Sequence, residues 1–112
     1  MQVEANESKI RGVIVAVPTR IIDGDTFVAR VDHLFRVYSI QRFRLYGIDC
    51  PEHDEVSTKY LADTILNRVV QIESIKEDSF GRWLCVVKLQ GEPKSLNELM
   101  IEKGYAVPWT KK

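Results

Sequence analysis

Cysteine is scarce: Cys50 and Cys85 are the whole complement. With no Cys-x-x-Cys spacing they make no zinc site of the usual kind. They allow one internal pairing, which sequence alone cannot demonstrate, so both read as free thiols. Long hydrophobic runs are absent too. Runs such as Val13–Val17 and Leu84–Val87 fall far short of the roughly 20 residues that cross a bilayer. Net charge is missing, 16 basic residues balancing 16 acidic ones, which excludes a protein that coats nucleic acid by bulk positive field. Six glycines and four prolines are too few for a low-complexity chain. The first fifteen residues carry Glu4, Glu7, Lys9 and Arg11 where a signal peptide has a basic start and an apolar block. If Met1 is the native start the expected location is the cytoplasm; if the chain is a mature fragment, secretion is expected.

What is present is the material of one domain. The chain has 112 residues, 45% of them apolar and 29% charged, enough for a single modest core. Met1–Ser8 is polar and reads as a flexible segment, leaving residues 9–112 as the domain. Charge is unevenly placed. From Arg20 to Arg44 every basic residue is an arginine (Arg20, Arg30, Arg36, Arg42, Arg44), whereas Asp49, Glu52, Asp54 and Glu55 follow with no cation among them. A polyanion suits the first stretch and a cation the second.

Lys9–Ile22 reads as a strand through its β-branched run, with a bulge or bend at Pro18. Asp23-Gly24-Asp25 reads as a tight turn in which glycine supplies positive φ, and Thr26–Val31 as the returning strand. Phe43, Leu45 and Tyr46 mark a third strand ending at Gly47-Ile48. Leu61, Ile65 and Val69 form an i, i+4, i+8 stripe, predicting a helix capped by Ser57 or Thr58. Gln71–Lys76 and Arg82–Leu89 predict two more strands. Ser95 and Glu98 make a capping box, Leu96, Leu99 and Met100 the buried face of a second helix, and Gly104 its stop. The order β-β-β-α-β-β-α predicts an α+β, mainly β, fold: a five-stranded barrel of the OB type with two helices. Trp83, Tyr60 and Tyr105 read as core, and His33 and His53 as solvated.

Charged residues cluster at the ends of these elements in three segments. They are Asp23-Gly24-Asp25-Thr26, Arg44 to Glu52, and Asp78-Ser79-Phe80-Gly81-Arg82. In the middle one, Asp49 and Glu52 flank a stiff proline, which holds two carboxylates at a set separation with Arg44 at the far side. The runs Phe43–Glu52 (FRLYGIDCPE), Ile22–Thr26 (IDGDT) and Asp78–Arg82 (DSFGR) together resemble the staphylococcal nuclease (thermonuclease) family, over about Arg11 to Trp109.

The resemblance implies a calcium-dependent nuclease of DNA and RNA, preferring single-stranded or frayed substrate, expected to act as a monomer. It implies cleavage of the 5′ P–O bond with 3′-phosphate products. Asp25, Asp49 and the backbone carbonyl of Cys50 correspond to the calcium ligands, in keeping with a hard cation's need for oxygen, and Asp23 to a supporting carboxylate. Glu52 corresponds to the general base toward water. Arg44 and Arg82 correspond to the pair that grips the phosphate through the planar guanidinium fork. Phe80 and Trp109 correspond to substrate-binding positions. Ser79 and Phe80 stand where the family carries a basic residue and a tyrosine, so weaker affinity for nucleotide ends is expected. The loop after Glu52 is shorter than in the type enzyme, and the family pattern leads to the expectation of a further helix after Lys112. The alternative is a non-catalytic OB-fold module that binds nucleic acid or protein; retention of Asp25, Arg44, Asp49, Glu52 and Arg82 argues against it. A fragment serving only folding or interaction is a third reading.

Overall fold

The computed structural model describes residues 12–51 and 54–109. The N-terminal segment 1–8, Glu52 and His53 lie outside the described residues. Five strands close a barrel in the order β1 (Val13–Asp23), β2 (Thr26–Asp32), β3 (Tyr38–Leu45), β6 (Trp83–Lys88) and β5 (Val70–Glu77). Every neighbouring pair is antiparallel except β3 and β6, whose parallel register Phe43↔Trp83 to Leu45↔Cys85 closes the barrel. This is the predicted OB-type architecture. Closure leaves these strands no free sheet edge.

Strict alternation builds the core. Phe27, Ala29 and Val31 point inward from β2 and Phe43 and Leu45 from β3, all at most 1% exposed, while Val28, Arg30 and Asp32 face outward. The rings of Phe27 and Phe43 stack with centroids 5.4 Å apart, each contributing about 1.5–3 kcal/mol by burial. Register shifts between Pro18 and Arg20, and between Ile21 and Asp23, bend β1 so that it can pair with both β2 and β5. The bulge expected at Pro18 is there.

Two helices pack against the barrel and share its core. Helix α1 (Glu55–Ile65) is capped by Asp54, whose carboxylate accepts from the amide of Val56; the caps expected at Ser57 or Thr58 sit inside the helix instead. Ser57 is buried, its Oγ 2.6 Å from Asp54 Oδ2 and 2.8 Å from the Tyr105 carbonyl. The helix ends before Val69, which is 70% exposed, so the buried stripe is Ser57, Leu61 and Ile65. Asn67, at φ 60°, turns the chain away and donates its amide to Pro18. Helix α2 (Leu96–Glu102) has the expected Ser95–Glu98 capping box, and Gly104 follows at φ 81°. Tyr60 and Tyr105 stack at 4.5 Å against the core, both partly buried.

Two features lay outside the sequence reading. Tyr46 belongs to a turn, and the chain then forms β4 (Ile48–Asp49), which pairs with β7 (Val107–Pro108) in a small second sheet. Asn97, buried in α2, donates to the carbonyls of Tyr46 (2.9 Å) and Cys85 (3.0 Å) and accepts from the amide of Val87 (3.1 Å). One side chain thereby ties α2, β6 and the Tyr46 turn together. That turn connects Arg44 to Asp49.

Candidate active site

The site begins at the β1–β2 turn. Gly24 does not have the positive φ expected of it. It is glycine for space: a Cβ there would lie 2.7 Å from Ser57 Cβ and 3.1 Å from both Cβ and Sγ of Cys50. This close approach lets the turn nest against the segment after β4. Asp25 is thereby brought to Cys50, whose amide donates to its Oδ2 at 3.2 Å, while Thr26 Oγ1 donates to its Oδ1 at 3.0 Å. The Asp25 carbonyl accepts from the amide of Leu45 at 2.9 Å.

Arg44 stands between two carboxylates. Its Nη2 lies 3.4 Å from Asp25 Oδ2 and 3.3 Å from Asp49 Oδ1. Its Nη1 donates to the carbonyls of Leu45 (3.0 Å) and Ile48 (3.1 Å). The Arg44 side chain is 13% exposed and that of Asp25 11%, against 50% for Asp49. The pair with Asp25 is therefore close to buried, and the one with Asp49 opens to solvent. The Trp109 ring lies 5.7 Å from the Arg44 guanidinium, its amide donating to the Gly47 carbonyl at 2.9 Å. Trp109 is thus placed beside Arg44 by the β4–β7 ladder.

Arg82 immediately precedes β6, and Asp78 sets its direction. Asp78 Oδ2 accepts from Nε and Nη2 of Arg82, each at 2.8 Å, and Oδ1 accepts from the amides of Phe80 and Arg82, each at 2.9 Å. Burial pushes the Asp78 carboxyl up, but the two amides and the guanidinium outweigh it and hold it below the usual aspartate value. In the sequence Asp78 stands only as the first residue of a motif; its orienting role appears in the folded chain, through its bonds to Arg82.

These groups meet. Asp23, Asp25, Thr26, Arg44, Asp49, Cys50 and Arg82 line one cavity of about 230 Å³. A neighbouring cavity of about 330 Å³ is lined by Ile22, Asp23, Thr26, Arg42, Phe80 and Arg82. Phe80 is 75% exposed, its ring 5.2 Å from the Arg82 guanidinium. Arg42 was not among the residues singled out for the site.

The Cys50 thiol is set against Gly24. Burial, aided by the Asp25 charge, pushes it up to about 12. A hard cation takes oxygen ligands, so the group that Cys50 can offer one is its backbone carbonyl. Both cysteines are free and buried. His33 is exposed, its Nε2 2.6 Å from Ser39 Oγ. Among the described residues no three His, Cys, Asp or Glu side chains group to hold a metal ion, and none of their helices is long and apolar enough to cross a membrane.

A family model described as staphylococcal nuclease homologue matches residues 42–112, more than half of the chain. The chain belongs to the staphylococcal nuclease homologue family. No curated protein matches it. Membership points to a nuclease-related function, and the closed barrel with two helices is consistent with it. The matched segment contains Arg44, Asp49, Cys50, Glu52, Phe80, Arg82 and Trp109 but not Asp25. Asp25 joins them through the barrel, by its contacts with Arg44 and Cys50.

Proposed function

We propose that the protein is a nuclease that hydrolyses phosphodiester bonds of DNA and RNA, and that the cavity between Asp25, Asp49, Arg44 and Arg82 receives the scissile phosphate. The observation that carries this reading is the convergence of two arginines, Arg44 and Arg82, and three aspartates, Asp23, Asp25 and Asp49, on one cavity. A phosphate diester needs little covalent help from protein. It needs its charge held and its attacking water aimed, which a guanidinium fork and a carboxylate supply.

In this reading Arg82, already oriented by Asp78, offers its remaining N–H groups to the phosphate oxygens. Arg44 holds the two aspartates at a set separation and adds positive charge beside them. Glu52, outside the described residues, orients or deprotonates the attacking water. Its assignment rests on the family resemblance and on its place three residues after Asp49. Cleavage at the 5′ P–O bond is inferred from the resemblance alone.

The donor set suits calcium in kind: the carboxylates of Asp25 and Asp49 and the carbonyl of Cys50 are all oxygens. Those residues would hold the ion, with Asp23 lining the same cavity. When bound, calcium supplies Lewis-acid polarisation of the phosphate.

One observation favours the non-catalytic binding module. The Nη1 of Arg44 is fully taken by two backbone carbonyls and its Nη2 faces two carboxylates, an arrangement that also serves the fold. The deciding assay incubates the protein with plasmid, denatured DNA and RNA, with calcium or with chelator. Calcium-dependent cleavage that falls about 10²-fold or more in Glu52→Gln and Arg82→Ala supports the nuclease. Binding without cleavage supports the module.

A further inference from the structure

Between Arg44 and Asp49 the chain leaves the barrel, and each of the four carbonyls on the way has a donor. Arg44 Nη1 donates to Leu45 (3.0 Å) and Ile48 (3.1 Å), the Trp109 amide to Gly47 (2.9 Å) and Asn97 Nδ2 to Tyr46 (2.9 Å). The last of these comes from a helix. Asn97 is 6% exposed, its Nδ2 also donates to Cys85 (3.0 Å) and its Oδ1 accepts from the Val87 amide (3.1 Å). The Tyr46 amide meets the same Cys85 carbonyl at 2.8 Å. Packing does not call for an amide here, since the other buried residues of α2 are Leu96, Leu99 and Met100. A buried amide is favourable only while its partners stay in place, so this one holds the turn at a set distance from β6. Asp49 depends on that hold. Its strand pairs with β7 and with none of the barrel strands, and its carboxylate is half exposed, with Arg44 as its one side-chain partner among the described residues.

We propose that Asn97 is a positioning residue of the site. From α2, and without lining the cavity, it locks the Tyr46 turn against β6 and so fixes Asp49 relative to Arg44. Outer partners of this kind orient the groups that meet a metal ion, and their loss is felt in its affinity. This rests on the nuclease reading for what the site does, but not for how it is built.

The test compares Asn97→Ala and Asn97→Asp with Val31→Ala, a core truncation in β2 whose strand partners are Ala16 and Ser39. Asn97→Asp keeps the acceptor for Val87 and removes both donors. The full chain is used with trimethylamine N-oxide, which favours the folded state, and circular dichroism checks the fold. In both Asn97 variants the amides of Tyr46 and Cys50 are expected to exchange about tenfold or more faster relative to those of β5, the mark of a local opening. Val31→Ala should leave that ratio unchanged. Calcium affinity, read by calorimetry, should fall about 10–100-fold in the Asn97 variants and stay at the wild-type value in Val31→Ala. If both Asn97 variants fail to fold, exchange in the wild type across a denaturant series decides. The Tyr46, Cys50 and Val87 amides then open together, and a Cys50 amide that opens while Val87 stays closed overturns the role. Variants that match Val31→Ala in exchange and in calcium affinity overturn it and leave Asn97 to the fold alone. In a chain that binds calcium, a loosened turn with unchanged affinity overturns it as well, as does lost affinity with no loosening. A protein that neither binds calcium nor cleaves, yet whose turn loosens in the Asn97 variants, overturns the nuclease reading and leaves the hold of Asn97 on Asp49 standing.

Discussion

Asp78 and Arg82 form a closed clasp: one carboxylate oxygen takes two N–H groups of the guanidinium at 2.8 Å, and the other takes two backbone amides at 2.9 Å. The turn and the arginine are thus a single unit. Arg82 reaches the cavity with its direction already set.

Asp78→Ala should therefore lower kcat by about tenfold or more while leaving the chain folded, because Arg82 keeps its charge and loses its aim. Asp78→Asn keeps an acceptor for the amides and should recover part of the loss. Kinetics of both variants, with melting temperatures alongside, check this. Acid acts in the same direction. The Asp78 carboxyl is held below its ordinary value, so its contribution is complete above about pH 4 and disappears as pH falls through the lowered folded value. The loss at low pH should be smaller in Asp78→Asn.

Arg44→Ala should cost about 3–5 kcal/mol of stability, since it strands the nearly buried Asp25 carboxylate without its cation. Chemical denaturation measures it. A loss near 1 kcal/mol would mean that the pair is as well solvated as an ordinary surface one. The same expectation makes Arg82→Ala the cleaner variant for catalysis.

Gly24→Ala should destabilise by about 1–3 kcal/mol, because the added methyl meets Ser57 and Cys50 at 2.7 Å and 3.1 Å and those neighbours are packed. The strain falls where the β1–β2 turn meets Cys50, so the variant should lose activity beyond its loss of stability. Ser57→Gly beside it removes the nearest atom and should restore part of both. Denaturation and turnover of the single and double variants test this.

Cys85 is fully buried and burial pushes its thiol above the ordinary range. Native protein should resist alkylation at pH 8 and react once unfolded. A folded-state value raised above the unfolded one stabilises at pH below about 8.5 and fails above it, because only the unfolded chain then releases the proton. Stability curves between pH 7 and 10 should show that decline, reduced in Cys85→Ala once its cavity cost is subtracted.

Local chemistry made part of this protein readable in advance. Ser95 and Glu98 satisfy each other within one helical turn, Gly104 stops the helix by its own backbone freedom, and alternation in β2 points Phe27, Ala29 and Val31 inward whatever surrounds them. Val69 misled for the same reason: spacing records periodicity but not where Asn67 breaks it. Asp54 won the cap over Ser57 because Ser57 was needed inside, between Asp54 and the Tyr105 carbonyl.

From the residues alone came the succession of strands and helices along the chain, the family motifs and the types of group at the site, because these depend on neighbours a few positions apart. Tertiary structure alone decided that Gly24 must be small, that Asp25 meets Cys50 and Arg44, that Trp109 lies beside Arg44 and that Arg42 reaches a second cavity. Each of those contacts joins segments far apart in the chain. Only closure of the barrel sets their separation, and no local preference encodes it.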